Sequence, residues 1–233
     1  YRETDSLLVI FTRKIGKVNA IAKGVQRPKS NLRAGVQPFC YSDFLLYKGR
    51  SLYTVSQCEP REVFYSIRED LKRLSYASYL VELVETVTNE GQTNNRLFNL
   101  LAKTLYILTE AEIEMDPIIR AFEIHFLEYS GFKPEFNQCI NCGRSKSPSW
   151  KFSFQGGGVL CHLCFEEDLA SRNISDLTLK LAIYLQAKDI SDIKKLEINK
   201  NLNRALKELL RKYMAVHINK HSFKSLRLAD QLF

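Results

Sequence analysis

The sequence predicts an α+β fold. A small β barrel occupies residues 1–60, and an all-α helical domain over residues 61–233 carries a zinc-binding insertion of four cysteines at about 136–167. Three observations predict it. Apolar residues follow a strand-like pattern before residue 60, they recur at three- and four-residue spacing after it, and two C-x-x-C pairs interrupt the helical stretch.

The β elements come first. Ser6–Thr12 (SLLVIFT) is a compact apolar run suited to a buried strand, and residues 17–23 (KVNAIAK) alternate. Residues 37–47 (QPFCYSDFLLY) set Phe39, Tyr41, Leu45 and Tyr47 against Phe44 and Leu46. After the turn Lys48-Gly49-Arg50-Ser51, residues 52–58 return as the second arm of a hairpin. Short, antiparallel, locally connected strands in so few residues predict a small barrel. From Arg61 the stripe Val63, Phe64, Ile67, Leu71, Leu74, Leu80, Leu83, Val84 and Val87 predicts one long amphipathic helix, stopped near Gly91. Further helices are predicted over 97–108 and 117–129, the latter opening on Asp116-Pro117, and then over 176–187, 201–218 and 222–232.

Cys139-Ile140-Asn141-Cys142 and Cys161-His162-Leu163-Cys164 match a zinc pattern in both the short and the long gap. Each C-x-x-C turns two thiolates toward one point, and two such turns complete a tetrahedron. Gly143 and Gly156-Gly157-Gly158 supply the backbone freedom, with a short hairpin expected around the triple glycine. The expected ligands of one structural Zn2+ are therefore Cys139, Cys142, Cys161 and Cys164. His162, between the members of the second pair, is expected to face solvent. Four sulfurs leave no position for a reactive water, so a catalytic zinc is disfavoured. A thiol oxidoreductase would carry one C-x-x-C at a helix start instead of two matched pairs. Cys40 and Cys58 read as small buried hydrophobes.

The formal net charge is +8. Residues 1–50 and 171–233 each carry a net +7, while 51–135 carry −6. Clustered positive charge draws polyanions, which makes nucleic acid the leading partner. Candidate phosphate contacts in the β module are Arg13, Lys14, Lys17, Lys23, Arg27, Lys29 and Arg33, with residues 23–33 read as a mobile basic loop. Near the other end Arg204, Lys207, Arg211 and Lys212 fall at helical spacing, and Lys220, Lys224 and Arg227 extend that face. One or two of Phe11, Phe39, Tyr41, Phe44, Tyr47 and Tyr53 are expected to stack on bases. No nucleophile, base and acid recur at a recognisable spacing, and no phosphate-binding glycine loop is present, so no enzyme is expected. The acidic run Glu110, Glu112, Glu114 and Asp116 reads as an exposed loop between helices. No apolar run reaches membrane-spanning length and no signal peptide is evident, so the expected address is the cytoplasm.

The chain resembles the RecO family of bacterial recombination mediators. The resemblance rests on residues 1–8 (YRETDSLL), 11–17 (FTRKIGK), 22–30 (AKGVQRPKS), 46–50 (LYKGR), 79–83 (YLVEL), Phe122-Glu123, 131–134 (GFKP), the four cysteines with Gly156-Gly157-Gly158, and 224–227 (KSLR), in that order along the whole chain. It implies an N-terminal OB-fold, expected here without its first strand, followed by a helical domain bearing the zinc module. It also implies a nucleoid-associated bacterial protein that binds single- and double-stranded DNA and anneals complementary strands. With RecR, such a protein helps load RecA onto DNA coated by single-stranded-DNA-binding protein. A groove for that protein's acidic-hydrophobic C-terminal tail is expected in the helical bundle. The family does not always keep the cysteines, which implies a stabilising role for the metal. The alternative from the residues is an RNA-binding protein of translation or rRNA processing.

Overall fold

The computed structural model describes residues 3–110 and 112–218. Lys220, Lys224, Arg227 and the helix expected over 222–232 lie outside the described residues. The described chain divides into two compact units, with the boundary along the chain between Thr109 and Glu110.

In the first unit, β1 (Ser6–Thr12) and β2 (Gly16–Ala22) form an antiparallel hairpin with Ser6 opposite Ala22 and Thr12 opposite Gly16. The three-residue turn is closed by Thr12, whose hydroxyl donates to the Gly16 carbonyl and accepts from the Ile15 amide. β3 (Tyr41–Lys48) and β4 (Tyr53–Glu62) form the second hairpin, with register shifts between Tyr41 and Ser42 and between Leu45 and Leu46. The strand order is β1-β2-β4-β3. The expectation of purely antiparallel pairing is corrected at the centre of the sheet. β2 and β4 run parallel, with Ala20 beside Tyr53 and Ile21 beside Thr54, because residues 23–40 carry the chain across before the second hairpin begins.

Among the described residues β1 and β3 are edge strands, so the sheet is open rather than a closed barrel. Its curvature nonetheless brings both edges onto one core. Leu8 and Ile10 from β1 and Phe44 and Leu46 from β3 pack around Ala20, Ala22, Val25 and Val55. Phe98, from a helix of the same unit, lies 5.7 Å from Phe11 and 5.9 Å from Tyr41 between ring centroids, touching both edges.

The single helix predicted from Arg61 is two. α1 (Tyr65–Glu69) stops at Asp70, whose extended backbone breaks the run. The Asp70 carboxylate then accepts the Arg73 amide at 2.7 Å and caps α2 (Leu71–Val87). α3 (Asn95–Ile107) is capped in the same way by Asn94.

In the second unit α4 (Met115–Tyr129) is buried on nearly all sides. It includes the ion pair Arg120–Glu123 at 2.9 Å, with both side chains out of solvent. β5 (Trp150–Ser153), β6 (Gly158–Cys161) and β7 (Arg172–Ile174) form an antiparallel sheet in the order β6-β5-β7. α5 (Asp176–Ala187) and α6 (Lys200–His217) follow, each capped by the residue before it, Ser175 and Asn199. Phe152 of β5 anchors the sheet to the helices, its ring 5.7 Å from Phe136 and edge-on to Tyr213 at 5.6 Å.

Candidate metal centre and nucleic-acid interface

The first cysteine pair sits on a knuckle laced to β6. The Cys139 amide donates to the Arg144 carbonyl, Ile140 to Val159, and Gly143 back to Cys139. Gly143 takes a left-handed φ of 72°, which a side chain would disfavour. At Gly158 a Cβ would come within 2.7 Å of the Glu135 carbonyl oxygen, so only glycine lets β6 approach this closely. The second pair spans the end of β6 at Cys161 and a 3-10 turn over His162–Glu167, where Cys164 is buried.

The four Sγ atoms lie within 4.8 Å of one another. Cys142 and Cys161 are 3.6 Å apart at sulfur, and Cys161 and Cys164 are 3.8 Å apart. Sulfurs 2.3 Å from a common centre, arranged as a tetrahedron, are separated by about 3.8 Å, so the donor set fits one thiolate-bound metal ion. Electrostatics point the same way. Burial alone would raise the Cys139 thiol, but backbone N–H donors from Cys142, Cys161 and Asn141 outweigh it and bring its pKa down to about 6. At Cys164 the Asn141 amide pulls downward at 3.4 Å, while burial and the three neighbouring thiols prevail and push it up to about 12. Four crowded sulfurs cannot all ionise unaided, and a cation at their centre removes that obstacle.

His162 is exposed, its Nδ1 2.9 Å from the Ser147 hydroxyl, and it is not part of the four-sulfur cluster. Asn141 is the participant that the spacing argument passed over, although its place inside the first C-x-x-C was the available signal. Cys40 and Cys58 are half-buried, and burial raises both thiols.

The candidate phosphate contacts separate into groups. Lys14, Lys23, Arg27, Lys29 and Arg33 are exposed. Residues 23–33 form a train of turns rather than a free loop. Arg27, Ser30 and Arg33 amides donate three residues back, Gly24 donates to the Asp5 carboxylate, and Val25 is buried. Arg13 is exposed with its guanidinium 5.2 Å above the Phe98 ring, and Lys17 donates to the Glu85 carbonyl at 3.0 Å. On α6 the basic residues diverge. Arg204 and Lys212 are exposed on either side of Glu208, whereas Lys207 and Arg211 are half-buried. The acidic run is also engaged, Glu110 pairing with Lys194 and Asp116 accepting from Asn203. No described helix is long and apolar enough to cross a membrane.

Family models described as recombination protein O N terminal and recombination protein O C terminal match residues 1–64 and 68–227. Curated relatives, each named DNA repair protein RecO, include one from Alkaliphilus metalliredigens, 57% identical across 100% of this chain and 94% of its own. Others come from Acetivibrio thermocellus, 37% identical over 95% of this chain and 88% of the relative, and Desulforamulus reducens, 34% identical over 100% and 90%. With both family models matched in order and curated relatives aligned end to end, the chain belongs to the RecO family.

Proposed function

We propose that this protein is a non-enzymatic, DNA-binding recombination mediator acting in bacterial DNA repair. In this reading it anneals complementary strands and, with RecR, helps load RecA onto single strands coated by single-stranded-DNA-binding protein. The observation that carries the reading is the set of five exposed cations at Lys14, Lys23, Arg27, Lys29 and Arg33 within residues 1–64, which match the recombination protein O N terminal model. Held turns present these charges at low ordering cost, and each phosphate neutralised releases condensed counterions. The N-terminal module over residues 1–60, read as an OB-type fold with an open sheet, holds one strand. Exposed basic residues of the helical domain hold a second, which lowers the repulsion between two polyanions and raises their local concentration.

Zn2+ is the metal we assign to Cys139, Cys142, Cys161 and Cys164. When bound it closes the tetrahedral site and supplies folding free energy, with no open position for chemistry. The residues around it act as scaffold: β6 and the Gly143 turn bring the two knuckles together, and Phe152 ties the sheet to α6.

Replacing Arg27, Lys29 and Arg33 together by alanine tests the DNA reading. Each phosphate contact on a single strand contributes about 0.7 to the slope of log affinity against log salt, so the triple variant is expected to flatten it by roughly 2. An unchanged slope rejects the role of these residues. Competition with matched RNA separates this reading from a translation or rRNA-processing role, since preference for RNA would favour the latter.

A further inference from the structure

On one face of the N-terminal sheet the two edge strands each leave a large apolar side chain in solvent, Leu7 on β1 and Tyr47 on β3. Register places Leu7 opposite Ile21, Ile21 beside Thr54, and Thr54 opposite Tyr47, so these four residues cross the sheet on one face. Only the two ends of this line are open, with Leu7 59% and Tyr47 62% exposed, while Ile21 between them is buried. Four other aromatic side chains of this module are occupied. Phe11 and Tyr41 pack on Phe98, while Phe44 and Tyr53 belong to the core cluster. Tyr47 keeps its ring in solvent near the end of an edge strand, and it is followed by the exposed cations Lys48, the last residue of β3, and Arg50 in the β3–β4 turn. The acid further along β3, Asp43, is paired with Arg61 at 2.6 Å. An apolar ring beside unpaired phosphate-seeking charge is the chemistry that recognises an unpaired base on a sugar-phosphate chain.

We propose that Tyr47 is a base-stacking residue for single-stranded nucleic acid, with Lys48 and Arg50 on the flanking phosphates. The inference rests on the DNA-binding reading above and adds to it the position of a base. A duplex hides its bases in the stack, so it gains the cations but not the ring. Tyr47 therefore favours single strands over duplex.

The test uses the full chain, a fluorescently labelled oligothymidylate, and a matched duplex, with anisotropy read at fixed salt. Tyr47→Ala is expected to weaken single-strand binding roughly 5- to 100-fold, since stacking on an aromatic side chain is lost. Duplex affinity and the salt slope stay as in the parent, because no charge is removed. Tyr47→Trp is expected to retain single-strand binding, and its exposed indole to lose fluorescence as the oligonucleotide is added. Because the side chain stands in solvent, both variants should melt like the parent. Parental single-strand affinity in Tyr47→Ala overturns the proposal and leaves the sheet face to a protein strand. Equal losses for single strand and duplex also overturn it. If the parent binds neither nucleic acid, the underlying DNA reading falls as well.

Discussion

Cys161 has no exposed surface, and its sulfur lies within 4 Å of two other ligand sulfurs. Serine at that position offers a harder, less acidic donor and leaves three thiolates, so Cys161→Ser is expected to bind less than one equivalent of zinc. Its stability should fall by on the order of 3 kcal/mol, read together by metal analysis and thermal melting. A variant retaining full zinc would remove Cys161 from the ligand set. The ligand cluster was legible in the sequence because its information is local: two short spacings and the glycines that permit them. Asn141 was not singled out, since a hydrogen bond to Cys164 depends on how one knuckle folds over the other. The basic residues were legible as charges only. Nothing in helical spacing distinguishes exposed Arg204 and Lys212 from half-buried Lys207 and Arg211, because the packing of α6 decides that.

At the scale of elements, the β1–β2 hairpin depends on a contact with the segment after α2. Gly16 has a φ of 68°, and a Cβ there would lie 2.1 Å from the Gln92 carbonyl oxygen. Gly16→Ala therefore combines a left-handed strain with a backbone clash. It is expected to cost on the order of 2–4 kcal/mol in denaturant unfolding, and a cost under about 0.5 kcal/mol would contradict the contact. α6 has its own sensor. Burial raises Tyr213 from the ordinary tyrosine value of 10 to about 12, and its hydroxyl donates to the Phe132 carbonyl at 3.2 Å. A raised pKa means that the folded state holds the proton longer. The stability from this residue is thus fully present below pH 10 and is lost as pH climbs toward 12. Tyr213→Phe is expected to flatten that alkaline decline in chemical denaturation, and an unchanged decline would exclude Tyr213 as its source. Elements with local signals were legible: α5 starts after its Ser175 cap and ends at Ala187, as its pattern requires. The split at Asp70 was hidden because the apolar stripe runs through it, although an aspartate before a new helical turn is itself a cap signal. β7 was missed, since Arg172-Asn173-Ile174 shows no alternation and is held by pairing with β5. The parallel pairing of β2 with β4 is non-local, and periodicity carries no information about it.

For the whole molecule, charge is divided between the two compact units. One exposes Lys23, Arg27, Lys29 and Arg33, and the other exposes Arg204 and Lys212 on α6. If annealing depends on holding two strands at once, each unit contributes a separate grip, and losing either affects annealing more than binding. Arg204→Ala with Lys212→Ala is expected to lower affinity for one oligonucleotide only a few-fold, because the N-terminal cations still hold it. The same pair should slow annealing of complementary labelled strands about tenfold, since the second polyanion is no longer concentrated beside the first. Combining it with Arg27→Ala, Lys29→Ala and Arg33→Ala should add the two losses in log affinity, as independent sites do. Annealing should then approach the protein-free rate. Parental annealing by the α6 double variant would place both strands on the N-terminal unit. The measurement thus decides between one grip and two, a question that the +8 total charge leaves open.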